Sequence, residues 1–180
     1  MPGHEGSQER HRWLEGLYEA NADRVMGYLL HRTDRETAQE VVSETFLLAW
    51  RKQKSVPGDA LPWLLAAARR LLANRVRSDL RRQALAERMQ TVMDGAPPKA
   101  FEDRVGDREH AFKVLMLLTE TDREVLLLTG WYDLTAQQAA KVLGCSRAAY
   151  TLRLHRARKR FRTALNNQIS LTTIDSEVPA

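Results

Sequence analysis

TAQQAAKVLGCSRAAYTLRLHRARKRFR, residues Thr135–Arg162, reads as two helices broken by a tight turn. Thr135 with Gln138 three places on matches the reciprocal capping pattern, in which each side chain satisfies an orphan amide of a helix's first turn. Ala139, Ala140, Val142 and Leu143 then offer a small apolar face, and Gly144 can take the left-handed conformation that ends a helix. Ser146 is placed to cap a second helix, whose inward stripe is Ala149, Leu152 (or Tyr150), Leu154, Ala157 and Phe161. Between these sit Arg147, Arg153, Arg156, Arg158, Lys159, Arg160 and Arg162. A short helix, a glycine turn and an arginine-loaded second helix form the arrangement that lays a recognition helix in a DNA major groove. The plainer reading is a solvated basic helix on a helical bundle; turn chemistry and charge pattern together favour the first.

The rest of the chain frames this unit. Its 180 residues, 43% apolar and 28% charged, make one ordinary domain or two small ones. A formal charge of +5 favours a polyanionic partner. The distribution says more than the total. Acidic residues collect around Glu36, Glu40 and Glu44, whereas arginines collect at 69–82 and 147–162, so two separate segments can touch nucleic acid. The single cysteine, Cys145, excludes an intramolecular disulfide and a cysteine-based zinc cluster. No apolar run approaches the roughly 20 residues of a membrane span, and MPGHEGSQERHR lacks a signal-peptide core, so the expected location is the cytoplasm.

Residues 1–9 are polar and expected to fray. From Glu9 to His31, Trp13, Leu14, Leu17, Tyr18, Val25, Met26, Leu29 and Leu30 recur at helical spacing, and Thr33-Asp34 breaks the pattern. A second helix is expected from Arg35 to about Lys54, with Ala38, Val41, Val42, Thr45, Phe46, Ala49 and Trp50 inward. Glu36, Glu40, Ser43, Glu44, Leu47 and Arg51 lie on its other face, and Leu47 and Leu48 cannot both point inward. SVPGDA (Ser55–Ala60) is a loop. A third helix runs from Leu61 to about Arg82, with Trp63, Leu64, Ala67, Ala68, Leu71, Leu72 and Val76 inward and six arginines offset only by Asp79.

Periodicity is lost over 83–106, where GAPP (Gly95–Pro98) cannot continue a helix. A linker is expected at 90–106. Helices resume at Asp107–Leu118 and, capped by Thr121 with Glu124, from there to about Trp131. After Ala164 the sequence carries no helical stripe and reads as a flexible tail, 166–180. Nothing alternates like a strand. The fold class is all-α: two small helical domains, 1–89 and 107–165, joined by a flexible linker.

Two blocks together resemble the extracytoplasmic-function (ECF) sigma factors of bacterial RNA polymerase. AQEVVSETFLLAWR (Ala38–Arg51) followed by WLLAAARRLLANRVR (Trp63–Arg77) resembles the family's region 2. LLTETDREVLLLTGWYDLTAQQAAKVLGCSRAAYTLRLHRARKRF (Leu117–Phe161) resembles its region 4. The resemblance implies a subunit that binds core polymerase and directs initiation at promoters by reading −10 and −35 elements. It assigns core-polymerase contacts to Glu40, Ser43, Glu44, Leu47 and Trp50. It assigns −10 DNA contacts to Arg69, Arg70, Asn74, Arg75 and Arg77. Contacts with the −35 DNA fall on Arg147, Thr151, Leu152, His155, Arg156 and Lys159. It also implies an anti-sigma factor as a partner. No nucleophile–base pair, phosphate-binding glycine loop or metal constellation is legible, so no catalytic residue, metal or cofactor is expected. Two other readings stay open: an autonomous helix-turn-helix regulator, which would bind duplex DNA without polymerase, and a helical interaction module, which would show no salt-dependent DNA affinity.

Overall fold

A computed structural model describes residues 3–87 and 107–175, with side-chain surroundings described for 6–82 and 111–167. The chain divides into two units, Met1–Lys99 and Ala100–Ala180. The described residues are helical and contain no strand. The expected linker at 90–106 lies outside them.

The first unit holds α1 (Gly3–Leu30), α2 (Arg35–Arg51), a 3-10 turn (Gln53–Ser55) and α3 (Leu61–Glu87). Each helix contacts the other two. The core forms from Val25, Tyr28 and Leu29 of α1, Val41, Val42 and Phe46 of α2, and Leu64, Leu65 and Ala68 of α3. Asp34 starts α2: its carboxylate accepts from the Thr37 N–H at 2.8 Å, which satisfies an orphan donor of the first turn. That bond, with the Thr37 hydroxyl second, holds the Asp34 carboxyl below its ordinary range. The stability it adds is therefore present above the ordinary aspartate pKa and lost as pH falls through the lowered one.

Three boundaries differ from the sequence reading. α1 begins at Gly3, not Glu9, because nothing from Ser7 to Arg12 breaks a helix and Arg10 and His11 have a docking partner in Trp50. α2 ends at Arg51 and tightens into the 3-10 turn instead of reaching Lys54. α3 continues to Glu87, since QALAE is a run of good helix formers that needs no apolar stripe. Val76, expected inward, is 48% exposed. Beyond Leu72, α3 borders α2 through Asn74, Arg75, Ser78 and Asp79, and Val76 is not part of that seam.

The second unit holds α4 (Asp107–Met116), α5 (Glu120–Gly130), α6 (Ala136–Leu143) and α7 (Arg147–Asp175). α5 opens at Thr119, not Thr121: the Thr119 hydroxyl accepts from the Asp122 N–H at 3.3 Å. Arg123 reaches back to the carbonyls of Met116 (3.0 Å) and Leu118 (3.1 Å), closing the orphan end of α4 and fixing where α5 can start. Asp133 takes the left-handed conformation (φ 53°), which Asp tolerates better than most residues, in the turn leading to α6. The expected tail is also corrected: α7 runs on to Asp175, because Arg162–Asp175 contains neither Gly nor Pro to stop a helix already nucleated.

Tyr150 is the bolt of this unit. It is fully buried, its hydroxyl donates to the Val125 carbonyl at 2.9 Å, and it pairs with the Thr129 hydroxyl at 2.5 Å. Burial pushes its phenol pKa up. The neutral form is the one the fold accepts, so this contribution to stability is lost only as pH rises beyond the ordinary tyrosine value. Tyr150→Phe leaves the Val125 carbonyl and the Thr129 hydroxyl short of a partner and should cost about 1–2 kcal/mol. For a domain this small that is a fall of roughly 5–10 °C in melting temperature, measurable by calorimetry. An unchanged melting temperature would show that the hydroxyl holds nothing.

Candidate functional site

On α2, Glu40, Ser43, Glu44 and Leu47 follow the i, i+3, i+4, i+7 spacing of a single helix face, and all four are exposed. Of the two neighbouring leucines it is Leu47, 48% exposed, that faces outward. The Ser43 hydroxyl donates to the Gln39 carbonyl of its own helix at 3.0 Å. Trp50 continues the spacing of this stripe, three places after Leu47, but is half-buried instead of exposed. The Arg10 guanidinium lies 4.2 Å above its ring and donates to its carbonyl at 2.9 Å, and the His11 ring meets it edge-on. Trp50 thus fastens α1 to α2, half-buried. This role for Arg10 and His11 is not legible in the sequence, since no periodicity marks a cation that stacks on a distant ring.

The five residues expected to meet −10 DNA do not share one fate on α3. Arg70 and Arg77 are exposed, and Arg69 is half-buried. Arg70 Nε donates to the Ala66 carbonyl one turn back at 3.0 Å, and Arg77 donates to the Asn74 side chain at 2.6 Å. Arg75 turns the other way. Its Nη1 pairs with Glu40 Oε2 and its Nη2 with Glu44 Oε1 at 2.7 Å, across from α3 to α2. Residues assigned to two different partners are therefore bonded to each other. Glu40, Glu44, Asn74, Arg75, Ser78 and Asp79 border a polar groove of about 540 Å³ between the two helices.

The helix-turn-helix follows the sequence reading closely. The Thr135 hydroxyl accepts from the Gln138 N–H at 3.3 Å while Gln138 Oε1 accepts from the Thr135 N–H at 2.8 Å. Gly144 is left-handed (φ 64°), and the Cys145 N–H returns to the Ala140 carbonyl at 3.0 Å. The Ser146 hydroxyl accepts from the Ala149 N–H at 3.1 Å. Tyr150, Leu154 and Ala157 are the buried line of α7.

All six residues expected to meet −35 DNA (Arg147, Thr151, Leu152, His155, Arg156 and Lys159) are exposed; Leu152, His155, Arg156 and Lys159 lie on the side of the helix away from that line, whereas Arg147 is exposed at the helix start, three places before Tyr150. Leu152, which the sequence left as a candidate for the inward stripe, is 50% exposed and yields that place to Tyr150. The Thr151 hydroxyl donates to the Arg147 carbonyl at 2.9 Å. Arg160 leaves the cationic set: its Nη1 donates to both carboxylate oxygens of Asp122, at 2.9 and 2.8 Å. Asp122 is buried at the start of α5 and needs a cation to be tolerated there.

Among the described residues no cluster of His, Cys, Asp or Glu could hold a metal ion, and no helix is long and apolar enough to cross a membrane. The geometry consists of two exposed helix faces of opposite sign, one on each unit, fit for binding macromolecules.

Comparison with known proteins gives the same division. Residues 17–82 match the family described as Sigma-70 region 2, and residues 113–161 the family described as Sigma-70, region 4. The chain is 32% identical over 152 residues to the ECF RNA polymerase sigma factor SigC of Mycobacterium tuberculosis, covering 82% of this chain and 80% of that one. It is also 32% identical over 139 residues to the probable RNA polymerase sigma factor RfaY of Xanthomonas campestris pv. campestris; that match takes in 73% of this chain but 35% of the relative, so the chain spans about a third of RfaY's length. In fold it resembles the sigma factor RpoE from Bartonella quintana, solved in complex with the anti-sigma factor NepR (TM-score 0.62, 21% identity, 84% of this chain and 96% of that one).

Proposed function

The chain belongs to the ECF sigma factors of bacterial RNA polymerase, and from that membership we propose how its surfaces share the work of directing promoter-specific initiation. The α2 stripe of Glu40, Ser43, Glu44 and Leu47 docks on a basic surface of core polymerase, with Trp50 holding α1 and α2 together behind it. Arg69, Arg70, Asn74 and Arg77 of α3 meet the −10 element, where arginines neutralise the phosphates of the opened strand and supply affinity more than choice of base. α7 enters the major groove of the −35 element with Arg147, Thr151, Leu152, His155, Arg156 and Lys159. There an arginine can pair bidentately with guanine, and Leu152 can meet a thymine methyl. Residues 1–89 and 107–165 act as the two readers, with 90–106 between them.

The observation that carries this reading is the opposite sign of the two exposed faces, acidic on α2 and cationic on α7. A polyanion and a basic protein surface are thereby sorted to different units. The protein acts as a binding subunit, with the chemistry left to polymerase, and works in the cytoplasm where the template is. An anti-sigma factor, of the kind recorded with the Bartonella relative, is the regulator proposed to hold it silent.

Run-off transcription tests the whole. Core polymerase with this protein should yield discrete promoter-dependent transcripts from its own genome's DNA that core alone does not make. The absence of any such transcript, together with tight duplex binding by the protein alone, would favour an autonomous regulator instead.

A further inference from the structure

Arg75 belongs by sequence to the DNA-facing helix, yet its guanidinium spans to α2 and holds Glu40 by one carboxylate oxygen and Glu44 by one. The two glutamates stand one turn apart, where like charges repel and drive each other's side chains into other rotamers. One cation between them removes that repulsion and fixes both. The carboxylates nonetheless keep their outer sides open: the Glu40 and Glu44 side chains are 52% and 45% exposed, against 27% for Arg75. Delivering Arg75 to a phosphate would mean giving up two carboxylates for one anion. The arrangement suits a guanidinium that stays where it is.

We propose that Arg75 is a positioning residue for polymerase docking: it sets Glu40 and Glu44 as a paired acidic platform, each with one oxygen turned to the solvent, for the basic side chains of core polymerase. This rests on the reading of the α2 stripe as the polymerase face. The region that binds polymerase and the helix that meets −10 DNA are then joined through one side chain, and a planar fork is the group that can hold two carboxylates at once.

The test measures affinity of the full-length protein for core polymerase without DNA, for R75Q, R75K, E40Q, E44Q and R75Q/E44Q, alongside melting temperatures. R75Q should weaken binding roughly fivefold to twentyfold, and R75K, which keeps a cation between the glutamates, should recover most of it. The double variant should lose less than the product of the two single losses, because both act on one platform. Melting temperatures should stay close to the parent's, as exposed ion pairs add little stability.

Unchanged or tighter binding by R75Q overturns the proposal, and so does a loss that multiplies with that of E44Q. A loss that R75K does not recover and that comes with a lower melting temperature marks a merely structural contact, which also overturns it. If E40Q and E44Q themselves leave binding intact, the polymerase reading of α2 fails. If they weaken it and R75Q does not, only the role of Arg75 falls.

Discussion

Glu44→Arg weakens binding to core RNA polymerase by roughly a hundredfold or more. The substitution removes one carboxylate from the platform, puts a like charge beside Arg75, and presents a cation to a basic partner surface. Removing one partner of a close charge pair across an interface costs about 2–5 kcal/mol, and reversal adds repulsion. The fold should be nearly unaffected, since Glu44 is exposed and its pair with Arg75 is of a kind worth at most about 1 kcal/mol. Titrating labelled protein with core polymerase measures the effect; affinity within a factor of three of the parent would remove α2 from the interface.

Arg156→Ala leaves core binding as it is and lowers the affinity of assembled holoenzyme for its promoter by about 1–3 kcal/mol, or roughly 5- to 150-fold. Arg156 is exposed on α7, opposite Tyr150, Leu154 and Ala157, so truncation removes a reaching group without opening the core. If it reads guanine, the loss should concentrate at one position of the −35 element, seen by binding to a set of single-base variants. Lys159→Ala, in contrast, should weaken all sequences alike and flatten the salt dependence by about one unit of slope. Uniform loss from Arg156→Ala would reassign it to the phosphate backbone.

How much of this could be read from the chain differs by the range of the interaction. The Thr135 and Gln138 capping box and the Gly144 turn depend on residues at most a few places apart, so their chemistry is written locally and the structure repeats it. Tyr150 and Leu152 are two places apart and both suit an apolar stripe. What decides between them is the Val125 carbonyl and the Thr129 hydroxyl on another helix, more than 20 residues away. The start of α5 was misplaced by two residues for a similar reason: Thr119 and Thr121 are equally good caps, and Arg123 chooses by closing the end of α4.

The cationic residues were the least legible. Charge and helix face place an arginine on a surface, but not what it touches there. Arg160 folds back on Asp122, Arg75 on two glutamates, and Arg10 on Trp50, three contacts that skip between 31 and 40 residues. On α7 the residues expected to meet −35 DNA are all exposed, but spacing alone decides this neither for Leu152, two places from Tyr150, nor for Arg147, three places before it.

The separation of the two surfaces is tested most directly by titrating core polymerase into a promoter-specific run-off assay with each of the two variants. Transcription by the Glu44→Arg protein should start near zero and climb toward the parent's level as core concentration rises, because only assembly is impaired. Transcription by the Arg156→Ala protein should level off below the parent however much core is added, because the assembled enzyme reads its promoter poorly. Both variants levelling off alike, or both recovering alike, would contradict the assignment of polymerase to α2 and of promoter DNA to α7.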